Sequence, residues 1–151
     1  MTDIIIKKAE IKDIPALLAI ENKSTGLKTF SAMTTEKEWL SELSNENVTI
    51  YLILKDNAVV GDTSYEKMPD GSFHVTGLVI EPQYQKQGIG RQAMKMILDE
   101  LKDAKRIELV THPENAPAIK IYTSFGFKIK ERIENYFGDG EPRIRLVKEN
   151  N

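Results

Sequence analysis

The stretch that decides the fold of this chain is Leu78-Val79-Ile80-Glu81-Pro82-Gln83-Tyr84-Gln85-Lys86-Gln87-Gly88-Ile89-Gly90-Arg91. An apolar run stops at Pro82, and a short polar loop then brings two glycines to the start of an amphipathic helix. A helix start of this kind has unpaired backbone N–H groups and the positive end of the helix dipole, which together bind phosphate. The stretch therefore predicts a phosphorylated ligand.

The composition is that of an ordinary soluble domain. The chain has 151 residues and a net charge of −2, with 40% hydrophobic and 29% charged residues. We expect one domain over residues 1–151, in the cytoplasm, without a membrane span or signal peptide. The small net charge gives no electrostatic footprint for nucleic acid. Because there is no cysteine and only two histidines, disulfides and thiolate sites are excluded and we expect no metal site.

Hydrophobic periodicity and turn signals predict a mixed α/β fold with about six to seven strands and about four helices. The predicted strands are Ile4–Ala9, Val48–Leu54, Ala58–Glu66, Phe73–Ile80, Arg106–Val110, Lys128–Glu134 and Arg143–Val147. The predicted helices begin at an Asp13 cap, a Thr35–Glu38 capping box, Ile89 and an Asn115 cap, and the last ends at Gly126.

The glycine loop by itself leaves several interpretations open. Gly88 to Ala93 also matches the dinucleotide fingerprint G-x-G-x-x-A. Pro82 and polar residues separate the glycines from their strand, however, and about half of the chain lies upstream. Glu108 lies about as far beyond the glycines as a ribose-binding acid would, but it falls inside its strand rather than at the carboxyl end of the strand. A Walker loop is excluded because no Gly-Lys-Ser/Thr follows. A plain loop-to-helix junction and a nucleotide-binding regulatory domain remain alternatives.

Several elements and motif residues between about residues 73 and 127 occur in an order that is typical of one known family. They are a strand, Pro82, Gln85-x-x-Gly88-x-Gly90, a helix, a strand, Asn115, Tyr122 and Gly126-Phe127. This order resembles the GNAT superfamily of acyl-CoA-dependent N-acyltransferases, and the remaining element order agrees across nearly the whole chain. The resemblance implies a mostly antiparallel sheet that is splayed at the CoA-binding strand pair, Phe73–Ile80 and Arg106–Val110. It also implies acetyl-CoA as the phosphorylated co-substrate, with no metal.

The resemblance assigns the cofactor-binding residues. Backbone N–H groups from Lys86 to Arg91 are expected to bind the pyrophosphate, and the strand edge at Leu78 to Ile80 is expected to pair with the pantetheine amides. Gln85 stands where many members carry arginine, a departure that we treat as minor. The full expected set is Leu78, Val79, Ile80, Gln85, Lys86, Gln87, Gly88, Ile89, Gly90, Arg91, Asn115 and Tyr122.

The implied activity is direct acetyl transfer to a primary amine through a tetrahedral intermediate. Tyr122 matches the proton donor to the CoA thiolate, with a core aromatic as the alternative, and the backbone N–H of Ile80 is the oxyanion donor. His74 stands where the histone-acetyltransferase branch carries its glutamate base. A strand histidine without chemistry is an equally weighted alternative, and water can replace a strong base. His112 is interpreted as a loop histidine. Val110 occupies the position of the glutamate base of the ribosomal-protein alanine acetyltransferases.

The acceptor is expected between the first two helices and the closing hairpin. Trp39 and Tyr136 are candidate acceptor-binding residues, with packing of the core and of the hairpin base as their alternatives. Acidic residues of the hairpin, namely Glu134, Asp139 and Glu141, would suit a cationic acceptor. The acceptor itself, whether a small amine, a polyamine or a protein N-terminus, stays open, as does a homodimer. The competing function is a non-catalytic acyl-CoA-binding sensor or interaction module.

Overall fold

The computed structural model of the protein describes residues 3–24, 27–29 and 31–150. This part of the chain forms seven strands and four α-helices, with 3-10 turns at Ile11–Asp13 and Pro82–Tyr84. The strands are β1 (Ile4–Lys8), β2 (Val48–Lys55), β3 (Ala58–Lys67), β4 (Phe73–Ile80), β5 (Arg106–Thr111), β6 (Lys128–Ile133) and β7 (Arg143–Glu149). The helices are α1 (Ile14–Asn22), α2 (Glu36–Ser44), α3 (Ile89–Glu100) and α4 (Ala116–Ser124).

All seven strands belong to one sheet, in the order β1-β2-β3-β4-β5-β7-β6. Neighbouring strands are antiparallel except β4 and β5, which run parallel. A parallel pair needs a crossover connection, and the segment that contains α3 provides it. The predicted mixed α/β fold with a mostly antiparallel sheet is confirmed.

The parallel strands β4 and β5 pair over only part of their length. Their register pairs are Phe73–Ile107, His74–Glu108 and Val75–Leu109. The register between β3 and β4 then passes from Val75 to Gly77, which leaves Thr76 as an extra, bulged residue. A bulge bends its strand and increases the local twist, so β4 turns away from β5 beyond Val75. The predicted splaying of this strand pair is confirmed.

Helices cover both faces of the sheet. Ile50 and Leu52 of β2 pack with residues of α1 and α2, whereas Tyr51 and Ile53 pack with residues of α3. The two sets alternate because successive residues of a strand point to opposite faces. Register with β2 therefore assigns the paired residues of β3 and β4 to the α1–α2 face or to the α3–α4 face.

The helix ends follow the predicted capping, with one correction. Thr35 Oγ1 accepts the N–H of Glu38 at 3.2 Å, and Asn115 Oδ1 accepts the N–H of Ala118 at 3.3 Å. The prediction that the Asp13 side chain caps α1 is wrong. Its carboxylate accepts the N–H of Glu10, which precedes the helix, at 2.8 Å. The chain is already in a 3-10 turn there, so Asp13 faces back along the chain. None of the helices that the structure describes is long and apolar enough to cross a bilayer.

Candidate functional site

The glycine-rich loop presents free backbone donors. Gly88 is the N-cap of α3 with a φ of 80°, a left-handed conformation that glycine adopts without strain. The first hydrogen bond of the helix runs from the Gln92 N–H to the Gly88 carbonyl at 3.0 Å. No backbone N–H from Lys86 to Arg91 donates to another residue that the structure describes. These N–H groups, at the positive end of α3, are therefore available to an anion.

Side chains tie the loop to its neighbours. The Gln85 amide donates to the Ile80 carbonyl at 2.9 Å, which fastens the loop to the end of β4. Lys55 donates to the Gln87 side chain at 2.8 Å. Arg91 donates to Ser124 Oγ at 2.7 Å and so links α3 to α4. The Gln85 side chain thus fixes the loop against the end of β4.

The edge of β4 beyond the bulge lies open toward β5. Leu78, Val79 and Ile80 pair with β3 on one side. On the other side, none of the described residues of β5 pairs with them. This edge runs directly into the glycine-rich loop, so an extended ligand bound along it would reach the free donors of Lys86 to Arg91. The structure brings these expected cofactor-binding residues together in one continuous surface, which we call the β4 cleft.

Tyr122 lies on α4, on the α3–α4 face of the sheet. Its side chain is 7% exposed and meets the Phe127 ring edge-on, with the ring centroids 6.0 Å apart. Burial raises the pKa of its phenol to about 12, so the group is protonated at neutral pH. No hydrogen bond to its hydroxyl is found within the described part of the chain. Asn115, the other expected residue of this segment, caps the same helix.

His74 lies on the opposite face of the sheet, toward α1 and α2. It stands in register between Glu66 of β3 and Glu108 of β5. Burial lowers the pKa of His74 below the ordinary value of 6.5, and the charges of Glu108 and Glu66 oppose this shift. Arg145 pairs with Glu108 through a short hydrogen bond, which offsets part of its charge. His74 is thus a half-buried imidazole that is neutral at physiological pH.

The two candidate acceptor residues differ in their surroundings. Trp39 is 3% exposed and packs between α1, α2 and β2, and its indole N–H donates to the Met33 carbonyl at 3.1 Å. This burial supports the core-packing alternative, so contact with an acceptor stays a prediction. Tyr136 lies in the loop between β6 and β7, is 36% exposed, and meets the Phe137 ring edge-on at 4.7 Å. It is therefore accessible to a ligand.

Sequence reasoning missed two buried polar clusters. His112 is interpreted from the sequence as a loop histidine, but its side chain is fully buried and bonds Glu141 at 2.8 Å. Asp62 and Glu21 form a second cluster between β3 and α1, where burial raises the pKa of both carboxyls. The burial of Asp62 could not be predicted from the alternation of residues along β3, because β2 and β3 change register between Ile53 and Leu54. That shift turns Asp62 toward α1, in register with Leu52.

Comparison with known proteins identifies the family. A model of the acetyltransferase (GNAT) family matches residues 14–127, and the chain therefore belongs to this family. It is 26% identical over 137 residues to the putative ribosomal protein bS18-alanine N-acetyltransferase of Bacillus subtilis (strain 168), an alignment that covers 89% of this chain and 87% of that protein.

Two further comparisons define how far the likeness extends. The chain is 29% identical over 124 residues to the UPF0157 protein YqkA of Bacillus subtilis (strain 168), covering 80% of this chain but only 34% of YqkA. The chain thus spans about a third of the length of that relative. The crystal structure of the ribosomal-protein-S18-alanine N-acetyltransferase from Escherichia coli has a TM-score of 0.84 at 23% identity, covering 99% of this chain and 95% of that one. This likeness shows the fold.

Proposed function

We propose that this protein transfers an acetyl group from acetyl-CoA directly to a primary amine. The observation that carries the proposal is the open edge of β4 at Leu78 to Ile80, which runs into the free N–H groups of Lys86 to Arg91. This continuous surface matches an extended amide-containing chain that ends in a diphosphate. The open edge offers peptide-like pairing to the amides. The start of α3 offers donors and positive potential to the phosphates.

The reaction then needs a proton acceptor on the amine side and a proton donor on the thiol side. His74 is neutral at physiological pH and faces α1 and α2, so it takes the proton of the incoming ammonium directly or through water. The amine nitrogen forms a bond to the thioester carbonyl carbon, and the Ile80 N–H stabilises the oxyanion. When the carbon–sulfur bond breaks, the Tyr122 hydroxyl gives its proton to the thiolate. The second proton that the amine nitrogen loses as the amide forms then restores the Tyr122 hydroxyl.

The placement of the two groups supports this division of roles. Tyr122 packs with residues of the α3–α4 face, such as Leu109, whereas His74 alternates with Val75 and so faces the other side. The gap between β4 and β5 lies between the two faces. A thioester in that gap would therefore have an amine-side base and a thiol-side acid on opposite sides of its reacting carbon.

The test measures CoA release from acetyl-CoA with a panel of primary amines and N-terminal peptides. Tyr122→Phe is expected to lower kcat about 100-fold or more, because a positioned general acid contributes about 10²–10⁴-fold. Acetyl-CoA affinity measured by calorimetry should stay within about twofold, since the ring and its packing are retained. Unchanged turnover would remove Tyr122 from the mechanism. Tight CoA binding without turnover of any amine would indicate the alternative, a non-catalytic acyl-CoA-binding module.

A further inference from the structure

The buried His112 holds the carboxylate of Glu141 in one orientation. Nδ1 of His112 accepts the backbone N–H of Glu114 at 3.0 Å, and Nε2 lies 2.8 Å from Glu141 Oε1. Because Nδ1 acts as an acceptor, the ring proton must be on Nε2, which donates it to Glu141. The imidazole is therefore neutral. The side chain of His112 is fully enclosed, whereas that of Glu141 is 32% exposed.

The partner of Glu141 differs from those of the carboxylates beside it. Glu114 pairs with Lys28 at 2.9 Å, and Asp139 lies 3.5 Å from the buried guanidinium of Arg143. Glu141 is bonded to a neutral ring. Lys28 acts on it only through space, since the direct partner of Lys28 is Glu114. The negative charge of Glu141 thus remains available to a cation from outside.

The loop that carries Glu141 is held by hydrogen bonds within it and also presents aromatic rings. Asn135 Oδ1 accepts the Gly140 N–H at 2.6 Å, and Asp139 Oδ1 accepts the Glu141 N–H at 2.9 Å. Tyr136 and Phe137 of the same loop are 36% and 50% exposed. The Arg143 guanidinium lies over the Phe137 ring, 5.0 Å from its centroid, so Tyr136 is the ring of this loop that stays open to an alkylammonium group. Such a group gains from an aromatic face and from a carboxylate.

The position of His112 places this loop at the β4 cleft. His112 directly follows β5, and the last β5 residue in register with β4 is Leu109. The end of β5 therefore forms the wall of the cleft that faces the open edge of β4. Lys28, which lies between α1 and α2, pairs with Glu114 just beyond the end of β5.

We propose that Glu141, positioned by His112, binds a second positive charge of the acceptor, so that the protein selects primary amines with another cationic group nearby. This inference rests on the proposed acetyl transfer and names its substrate class. A divalent cation is the competing occupant, because ligand atoms of His112, Glu114 and Glu141 all lie within 4.8 Å of one another. The bonding of His112 disfavours it, since neither ring nitrogen has a free lone pair while the Glu114 N–H and the Nε2 proton are in place.

The test compares acceptors of matched length with and without a second charge. Kinetics are measured with 1,4-diaminobutane against butylamine, and with two peptides that differ only in lysine or leucine at the second position. Glu141→Gln should raise KM for the dicationic member of a pair about 10- to 100-fold, the range expected for a lost charge-assisted hydrogen bond. The monocationic member should change less than about twofold. The pair that responds identifies whether the acceptor is a small amine or a peptide.

Matched variants separate the roles of the residues. Glu131→Gln removes a carboxylate of β6 that pairs with Arg145 at 2.8 Å, and its kinetics should stay within about twofold of wild type. His112→Asn keeps an acceptor for the Glu114 N–H but loses the donor to Glu141, so it should reproduce the KM effect. His112→Gln can still donate from the Nε2 position and should restore selectivity. Equal effects of both His112 variants on kcat with no change in KM would assign His112 a purely structural role and overturn the inference.

A binding measurement keeps this inference separate from the proposed function. Calorimetric titration of 1,4-diaminobutane into the CoA-saturated protein should show binding that Glu141→Gln weakens, whether or not turnover occurs. The inference is overturned if butylamine binds equally well, or if zinc binds at this place and the diamine does not. The proposed function fails separately, through absence of CoA binding or of CoA release with every amine.

Discussion

The close approach of β4 to Gly61 offers a sharp test of how the cleft is built. A Cβ built on Gly61 would lie 2.2 Å from the Val79 carbonyl oxygen and 3.0 Å from Ile80 Cδ1. Both contacts involve residues of the β4 segment whose other side is proposed to bind the pantetheine. Because the closer atom belongs to the backbone, it cannot move away by a side-chain rotation. Gly61→Ala must therefore displace β4 by about 1 Å, since a Cβ normally keeps more than 3 Å from a non-bonded atom.

The cost of this displacement follows from measurements on overpacked cores. Such substitutions destabilise by about 1–3 kcal/mol, and a domain of this size loses about 2–4 °C in Tm per kcal/mol. We expect Gly61→Ala to lower Tm by about 2–12 °C. It should also weaken acetyl-CoA binding, because moving Val79 shifts the backbone of Leu78 and Ile80 on either side of it, which faces the open edge. Thermal unfolding followed by circular dichroism measures the first effect, and calorimetry measures the second.

Gly77→Ala is the matched control, on the neighbouring strand. A Cβ on Gly77 would meet only the Ser64 Oγ, at 3.3 Å, and that hydroxyl can rotate away. Its effect on Tm should be much smaller than that of Gly61→Ala. If Gly61→Ala keeps both the wild-type Tm and the wild-type CoA affinity, β4 does not depend on the close approach of Gly61 for its position.

Three further predictions concern charge and backbone. The value of kcat/KM should fall as the pH drops through the pKa of His74, which burial places below 6.5. The reason is that only the neutral imidazole accepts a proton. In His74→Gln, this fall of kcat/KM on the acid side of the pH–rate profile should disappear. The raised pKa of Asp62 means that the folded state binds more protons than the unfolded state, so wild-type stability falls as the pH rises above about 4. Asp62→Asn retains a donor to Glu21, and urea unfolding should show it more stable than wild type by a margin that grows with pH. Gly88→Ala should cost about 1–2 kcal/mol, because Gly88 has a left-handed φ of 80°. Gly90 is the second residue of α3 and makes only an ordinary 3.8 Å contact with Ile80, so Gly90→Ala should gain less than the roughly 1 kcal/mol of a helix-interior site. Thermal unfolding should show Tm shifts of opposite sign, and equal shifts would contradict both.

The elements of the cleft could be predicted from the sequence because their causes are local. The apolar run at Leu78 to Ile80, Pro82 and the glycines fix a strand, a stop and a helix start within a few residues. Asn115 and Gly126 mark the two ends of α4 in the same way. Local propensity and capping act over one or two turns, so they can be read without knowledge of the rest of the chain.

The polar clusters could not be predicted, because each joins residues that are distant in sequence. His112 meets Glu141 only after β7 has paired with β5, and Glu21 meets Asp62 only through a register shift between β2 and β3. A one-residue shift moves a side chain to the other face of a sheet. The sequence by itself therefore determined the glycine-rich loop and the order of elements. The tertiary structure decided which charges are buried, which carboxylate bonds a neutral imidazole, and where β4 leaves β5, since these depend on the pairing of whole strands.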